Sequence, residues 1–146
     1  MRRVMMLLMI CALALAACGG ETGDTTVPEP PKSAAYEKSG NAQVDSIVEA
    51  WQAQVPTVLE QNAIKPETIE QKTYQSAASL QEVSDFYTQQ ITSANGWVEV
   101  QRMPGLQEGL FLKAYDHGNI SLVIGALDAS KLGGQGVVIY TAKGSK

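Results

Sequence analysis

The sequence predicts a single α+β domain, a two-layer fold in which an antiparallel sheet of about five strands packs against one or two helices. Three observations predict it. Two stretches repeat apolar residues at three- and four-residue spacing, a set of short β-type runs is separated by turn residues, and the links between those runs suit antiparallel pairing. About 100 residues from Asn41 onward are near the common size for one core and too few for two. The division expected is a leader over 1–17, a flexible tether over 18–40 and one globular domain over 41–146.

Arg2 and Arg3 begin the leader, Val4 to Leu15 form an uncharged apolar run, and Leu15-Ala16-Ala17-Cys18 follows. The run is shorter than the roughly 20 residues a transmembrane helix needs, and Gly19, Gly20 and Glu21 end it, so it reads as a targeting segment. This leader resembles the signal peptide and lipobox of bacterial lipoproteins. The resemblance implies removal of residues 1–17, diacylglycerol on the Cys18 sulfur, an acyl chain such as palmitate on the new amine, and a lipid-anchored place in the bacterial cell envelope. Gly19 in place of Asp implies the outer membrane in a Gram-negative host. One acyl chain holds a protein marginally and two or three hold it stably, at about 0.8 kcal/mol per buried methylene. The alternative is an ordinary secretory signal cut after Ala17, with Cys18 as a free thiol.

Cys11 lies inside the leader and Cys18 is the lipid site, so no cysteine remains for a disulfide, a cysteine-based metal site or a thiol nucleophile. Loss of Arg2 and Arg3 leaves nine basic against fifteen acidic side chains, a formal net charge of −6. Diffuse negative charge disfavours nucleic acid and anionic lipid as partners, since both are polyanions. From Gly19 to about Gly40 the composition is Gly, Thr, Pro, Glu, Lys and Ser, and Pro28, Pro30 and Pro31 exclude a helix. A coil of that length averages roughly 25 Å from end to end.

Asn41 opens a helical pattern carried by Val44, Ile47, Val48, Trp51, Val55, Val58 and Leu59, with Pro56 expected to kink or break it at Val55. Its polar face carries Asp, Glu and Gln, which favours core packing over a membrane-surface role. Glu67 to Tyr74 reads as a strand. Ser79 and Glu82 fit a capping box, after which Leu80, Val83, Phe86, Tyr87, Ile91 and Ala94 form one stripe, so the spacing predicts a helix over 80–94 stopped by Asn95-Gly96. Four strands are expected to follow, at 97–103, 110–115, 120–127 and 137–141, the first ending at Pro104-Gly105. The run Val83-Ser84-Asp85-Phe86-Tyr87, with Asn95-Gly96-Trp97 and a meander after it, is similar to a pattern in bacterial lipoproteins without an assigned activity. That resemblance covers about 67–141 and implies a capped helix packed on a sheet, anchored by the aromatic pair and Trp97.

Alternation places Val98, Val100, Leu110, Leu112, Ala114, Ile120, Leu122, Ile124, Val137 and Ile139 on one side of the sheet, against helix 80–94. The other side then carries Trp97, Phe111, Tyr115, Val123, Leu127, Val138 and Tyr140, too apolar for a solvated face. Helix 43–55 is expected to cover part of it. The remainder, Trp97, Phe111, Tyr115, Val138 and Tyr140, is the candidate interaction face.

Sharper chemistry finds little support. Asp116-His117-Gly118-Asn119 is what a hairpin turn favours, and no motif places a nucleophile with His117. One histidine without cysteines makes no zinc site, and the carboxylates lack calcium-loop spacing, so no metal and no cofactor is expected. Gly133-Gly134-Gln135-Gly136 lacks the Lys-Ser or Lys-Thr of a phosphate loop and leads into a strand. Asn119-Ile120-Ser121 matches a glycosylation sequon that has no meaning in a bacterial chain. No catalytic residue is assigned. The expectation is a non-enzymatic envelope module that binds a protein or peptide, with a small-ligand carrier or hydrolase as the alternative.

Overall fold

The computed structural model describes residues 25–146, so the leader and Cys18 lie outside the described residues. Within them the α+β class holds. Seven strands form one antiparallel sheet: β1 (Ser33–Ala35), β2 (Glu70–Ser76), β3 (Val98–Glu99), β4 (Gly105–Gln107), β5 (Leu110–His117), β6 (Ile120–Asp128) and β7 (Val137–Ser145). Their order is β1-β2-β7-β6-β5-β3, and β4 pairs with β5 on the same edge as β3. β5, β6 and β7 form a meander, while β2, which precedes them in the chain, pairs with the free edge of β7.

Helix α1 (Ala42–Gln61) starts where the sequence predicts. Asn41 is its N-cap, the side-chain oxygen accepting from the amides of Gln43 and Val44 while Nδ2 donates to the Leu132 carbonyl at 2.8 Å. The expected break at Val55 does not occur, and the helix runs through Pro56 for another turn and a half. Proline withholds one amide from the Gln52 carbonyl, and Gln52 is exposed, so water can take that bond. Helix α2 (Leu80–Gln90) has the full capping box: Ser79 N–H donates to Glu82 Oε2 at 2.7 Å, and Glu82 N–H to Ser79 Oγ at 3.2 Å. It ends earlier than expected, and a 3-10 turn at Ser93–Asn95 closes on Gly96 in the left-handed region, φ 84°.

The helices lie on opposite faces of the sheet. Val83 and Tyr87 of α2 and Ile91 at its C-cap pack with Tyr74, Phe111, Tyr115, Leu122, Ile124 and Ile139, whereas Val48, Trp51, Val55 and Leu59 of α1 pack toward Ala114, Val123, Val138, Tyr140 and Ala142. Helix α1 thus covers the second face, as the excess of apolar residues there required. The face assignment of β5 is corrected. Phe111 opposes Ala126 and Tyr115 opposes Leu122, so both rings point to α2, and Leu112 and Ala114 point to α1. The period of two in β5 is as expected, but its phase relative to β6 depends on pairing, which alternation within one strand does not carry.

Three other expectations change. The strand expected at 97–103 shrinks to Val98–Glu99, followed by a turn that leads into β4. Residues 66–68 form a 3-10 turn led by Pro66, which moves the strand expected at 67–74 to Glu70–Ser76. The tether expected to run to residue 40 is part of the domain from Thr25 on. Val27 packs on the α2-side core, Pro30 is buried, and β1 pairs with β2 from Ser33↔Ser76 to Ala35↔Tyr74. The Tyr36 hydroxyl and the Ser39 amide and hydroxyl all donate to Asp45 on α1, closing the segment onto the helix.

Candidate functional site

The residues expected to form an interaction face do not share one. Trp97, Phe111 and Tyr115 lie on the α2 side and Val138 and Tyr140 on the α1 side, and none is more than 3 % exposed. Burial pushes the Tyr115 and Tyr140 phenols up to about 12, so both are neutral packing groups, and Tyr140 donates its hydroxyl to Gln71 Oε1 at 2.7 Å. A partner surface must be sought elsewhere.

Asp116 and His117 are not a dyad. Both belong to β5, where neighbouring side chains point to opposite faces. Asp116 accepts the hydroxyl of its cross-strand partner Ser121 at 2.5 Å, and the His117 ring stands edge-on to Trp97 with centroids 5.3 Å apart. The imidazole lies directly over Gly96, where a Cβ would sit 2.6 Å from Nε2. The turn is the two-residue Gly118-Asn119 loop, with Gly118 at φ 59°. Among the described residues no group of three His, Cys, Asp or Glu side chains gathers to hold a metal ion, and no helix is long and apolar enough to cross a membrane.

The feature that remains is the β1 edge. Tyr36 N–H donates to the Thr73 carbonyl and Ala77 N–H to the Lys32 carbonyl, which makes Lys32↔Ala77, Ala34↔Gln75 and Tyr36↔Thr73 the hydrogen-bonded pairs. Ser33 and Ala35 are the residues between them. Their N–H and C=O groups therefore point away from β2, toward the open side. A groove of about 710 Å³ lies over the β1–β2 pair and the approach to β7, lined by Ser33, Ala35, Glu37, Gln75, Ala77 and Gln135 with Gly136. Gly136 belongs there for a steric reason, since a Cβ on it would lie 2.6 Å from the Ser76 carbonyl oxygen.

Chain and charge hold this edge in place. Pro30 and Pro31 set an extended approach, the Ser33 hydroxyl donates to Pro30 O at 2.6 Å, and the Ser76 hydroxyl donates to Pro31 O at 2.6 Å. Lys32 pairs with Glu82 at 3.1 Å. The Ser79 amide, then that lysine, holds the Glu82 carboxyl at about 2. Asp45 is likewise held below the usual carboxylate range, first by the Tyr36 hydroxyl and then by the Ser39 amide. The opposite edge of the sheet is built differently. There β3 and β4 are broken by the loop at 100–104, and Lys113 pairs with Glu99, both devices that discourage strand addition. Ser33, Ala34 and Ala35 put no bulk or charge in the way of a further strand.

Sequence reasoning missed this edge because a three-residue strand of small residues has no period to detect, and two prolines before it signal a linker. No family model, no curated protein and no solved structure matches the chain.

Proposed function

We propose that the chain is a lipid-anchored bacterial envelope lipoprotein whose domain binds an extended peptide segment of a partner protein along β1, without catalysing a reaction. The address rests on the leader, with Cys18 as the lipid site and the membrane as a partner through it. The binding role is carried by one observation, the outward N–H and C=O groups of Ser33 and Ala35 beside an open groove. Main-chain hydrogen bonds to an added strand supply affinity without regard to sequence, and side chains along the groove supply choice. Gln75 and Gln135 offer amides for a polar side chain, and Glu37 offers a carboxylate for a basic one.

Two measurements test the two halves of this reading. Mass spectrometry of the mature N-terminus should find acyl chains on Cys18, and Cys18→Ser should release the protein from membranes without detergent; an unmodified Cys18 overturns the anchor. For the edge, a displayed peptide library should yield peptides retained by the wild-type chain. Ala35→Pro removes only an outward amide, so it should abolish their binding while leaving the urea midpoint nearly unchanged. Ala34→Pro removes a bond to Gln75 and should destabilise the fold by roughly 1 kcal/mol or more. Peptides that bind Ala35→Pro as well as wild type, or a library that yields none, overturn the binding role.

A further inference from the structure

The two ends of β1 carry different charge. Before Ser33, Lys32 pairs with Glu82 at 3.1 Å, so that end is neutral. After Ala35 the balance is negative. Glu37 is exposed, and its carboxylate has no hydrogen bond or ion pair among the described residues. Asp45, in the first turn of α1, accepts from the Tyr36 hydroxyl and from the Ser39 amide and hydroxyl, all of them neutral donors. Lys38 gives its ammonium to Glu49 at 2.7 Å. Glu37, Asp45 and Glu49 therefore stand against Lys38 alone.

The edge also favours one direction of pairing. Ser33 and Ala35 offer their amides and carbonyls, but the ladder cannot extend backward, because Lys32 turns at φ 52° and the Pro31 and Lys32 carbonyls already accept from Ser76 and Ala77. An antiparallel strand meets all the groups of Ser33 and Ala35 with about three residues, a parallel strand needs about five, and the antiparallel ladder is the more stable per residue. At the other end the register continues. Tyr36 N–H still donates to the Thr73 carbonyl, so Glu37 follows in the outward phase of Ser33 and Ala35.

We propose that the segment bound along β1 runs antiparallel to it and carries Lys or Arg one or two residues before the three that pair, against the carboxylates of Glu37 and Asp45. This rests on the reading of β1 as a peptide-binding edge. In an antiparallel strand the residues just before the paired three lie opposite Tyr36 and Glu37. A basic side chain opposite Tyr36 stands on the face where Asp45 holds the phenol, and one opposite Glu37 meets that carboxylate across the strands. The chain's net negative charge draws a basic segment toward the edge and opposes a second copy of the chain, which would bring the same charge to it.

The test takes the displayed peptides that wild type retains and Ala35→Pro loses. They should carry Lys or Arg ahead of an extended run. Glu37→Gln should weaken their binding by about two- to five-fold, the range of an exposed ion pair, and high salt should erase that difference. A nitroxide on the peptide's N-terminus should broaden the amide resonances of Lys38 and Gly40 more than that of Ala77, and one on its C-terminus should do the reverse. Edge-dependent peptides without a basic residue, or with affinity indifferent to Glu37→Gln, overturn the charge pairing and leave the edge standing, and the opposite broadening pattern overturns the direction. Peptides that bind Ala35→Pro as well as wild type overturn the edge itself. Self-association that Ala35→Pro abolishes, with no basic peptide bound, gives the edge to a second copy and overturns the proposal.

Discussion

Tyr87 puts its whole ring in the core yet gives its hydroxyl no hydrogen-bond partner among the described residues. Burial raises the phenol pKa, so the group is a neutral buried hydroxyl, lacking the hydrogen bond that would offset its desolvation. Tyr87→Phe keeps the ring and removes the orphan. It should leave stability unchanged or raise it by up to about 1 kcal/mol in urea titration; a clear loss would show that the hydroxyl has a partner. The helical stripe marks Phe86 and Tyr87 alike as core, but Phe86 is only half-buried, edge-on to Tyr87 with centroids 5.2 Å apart. Two neighbouring residues cannot both face the centre of one helix interface. Gly125 and Gly144 show the opposite limit. In sequence they weaken strands; in the fold a Cβ on Gly125 would touch the Trp51 ring at 3.5 Å, and one on Gly144 would overlap Ile64 Cγ2. Gly144→Ala should therefore cost roughly 1 to 3 kcal/mol, as overpacking does, in the same titration.

At the level of elements, caps were legible and interruptions were not. Asn41 and Ser79 act where the sequence places them, because a cap is a local contest between a side chain and the first free amides. Of the kink or break expected at Pro56, the break is absent, because the proline's penalty competes with the burial of Leu59, one turn beyond it, against the sheet. That competition predicts an outcome. Pro56→Ala restores an amide inside a formed helix and should stabilise the protein by about 1 to 3 kcal/mol, given the propensity gap of about 3. A fall in melting temperature would mean that the proline ring itself contributes packing that the helix needs. The strands of the meander were found because each alternates over several residues between turn residues, whereas β1 and β4 are three residues long and were invisible.

At the scale of the whole molecule, the segment from Thr25 to Asn41 is fastened at its middle and its end by two carboxylates, Glu82 through Lys32 and Asp45 through Tyr36 and Ser39. Both have pKa values lowered in the folded state, Glu82 from 4.5 to about 2. A depressed folded pKa contributes stability above the unfolded value and loses it as pH falls toward the folded one, so this fastening weakens between about pH 4.5 and 2. Hydrogen-exchange protection at Tyr36 and Ser39 should fall in that window before protection in β6 and β7 does. Simultaneous loss in both would show that the segment opens only with the whole fold. Detachment would also remove β1, so peptide binding at the edge should fail on the same acid limb.

The sequence by itself determined the α+β class, both helix starts, the meander, and the excess of apolar residues that required a helix on each face, because periodicity, caps and turns are local properties. The lipobox is read from sequence alone, since Cys18 lies outside the described residues, and it stands as part of the proposal. Tertiary structure decided the phase of β5, which turned Phe111 and Tyr115 toward α2, decided that α1 covers Val138 and Tyr140, and decided that the proline-rich stretch after Thr25 becomes an edge strand. Those outcomes depend on which strands lie side by side, with β2 pairing β7 across more than sixty residues of chain, and pairing at that separation leaves no imprint on any short window of sequence.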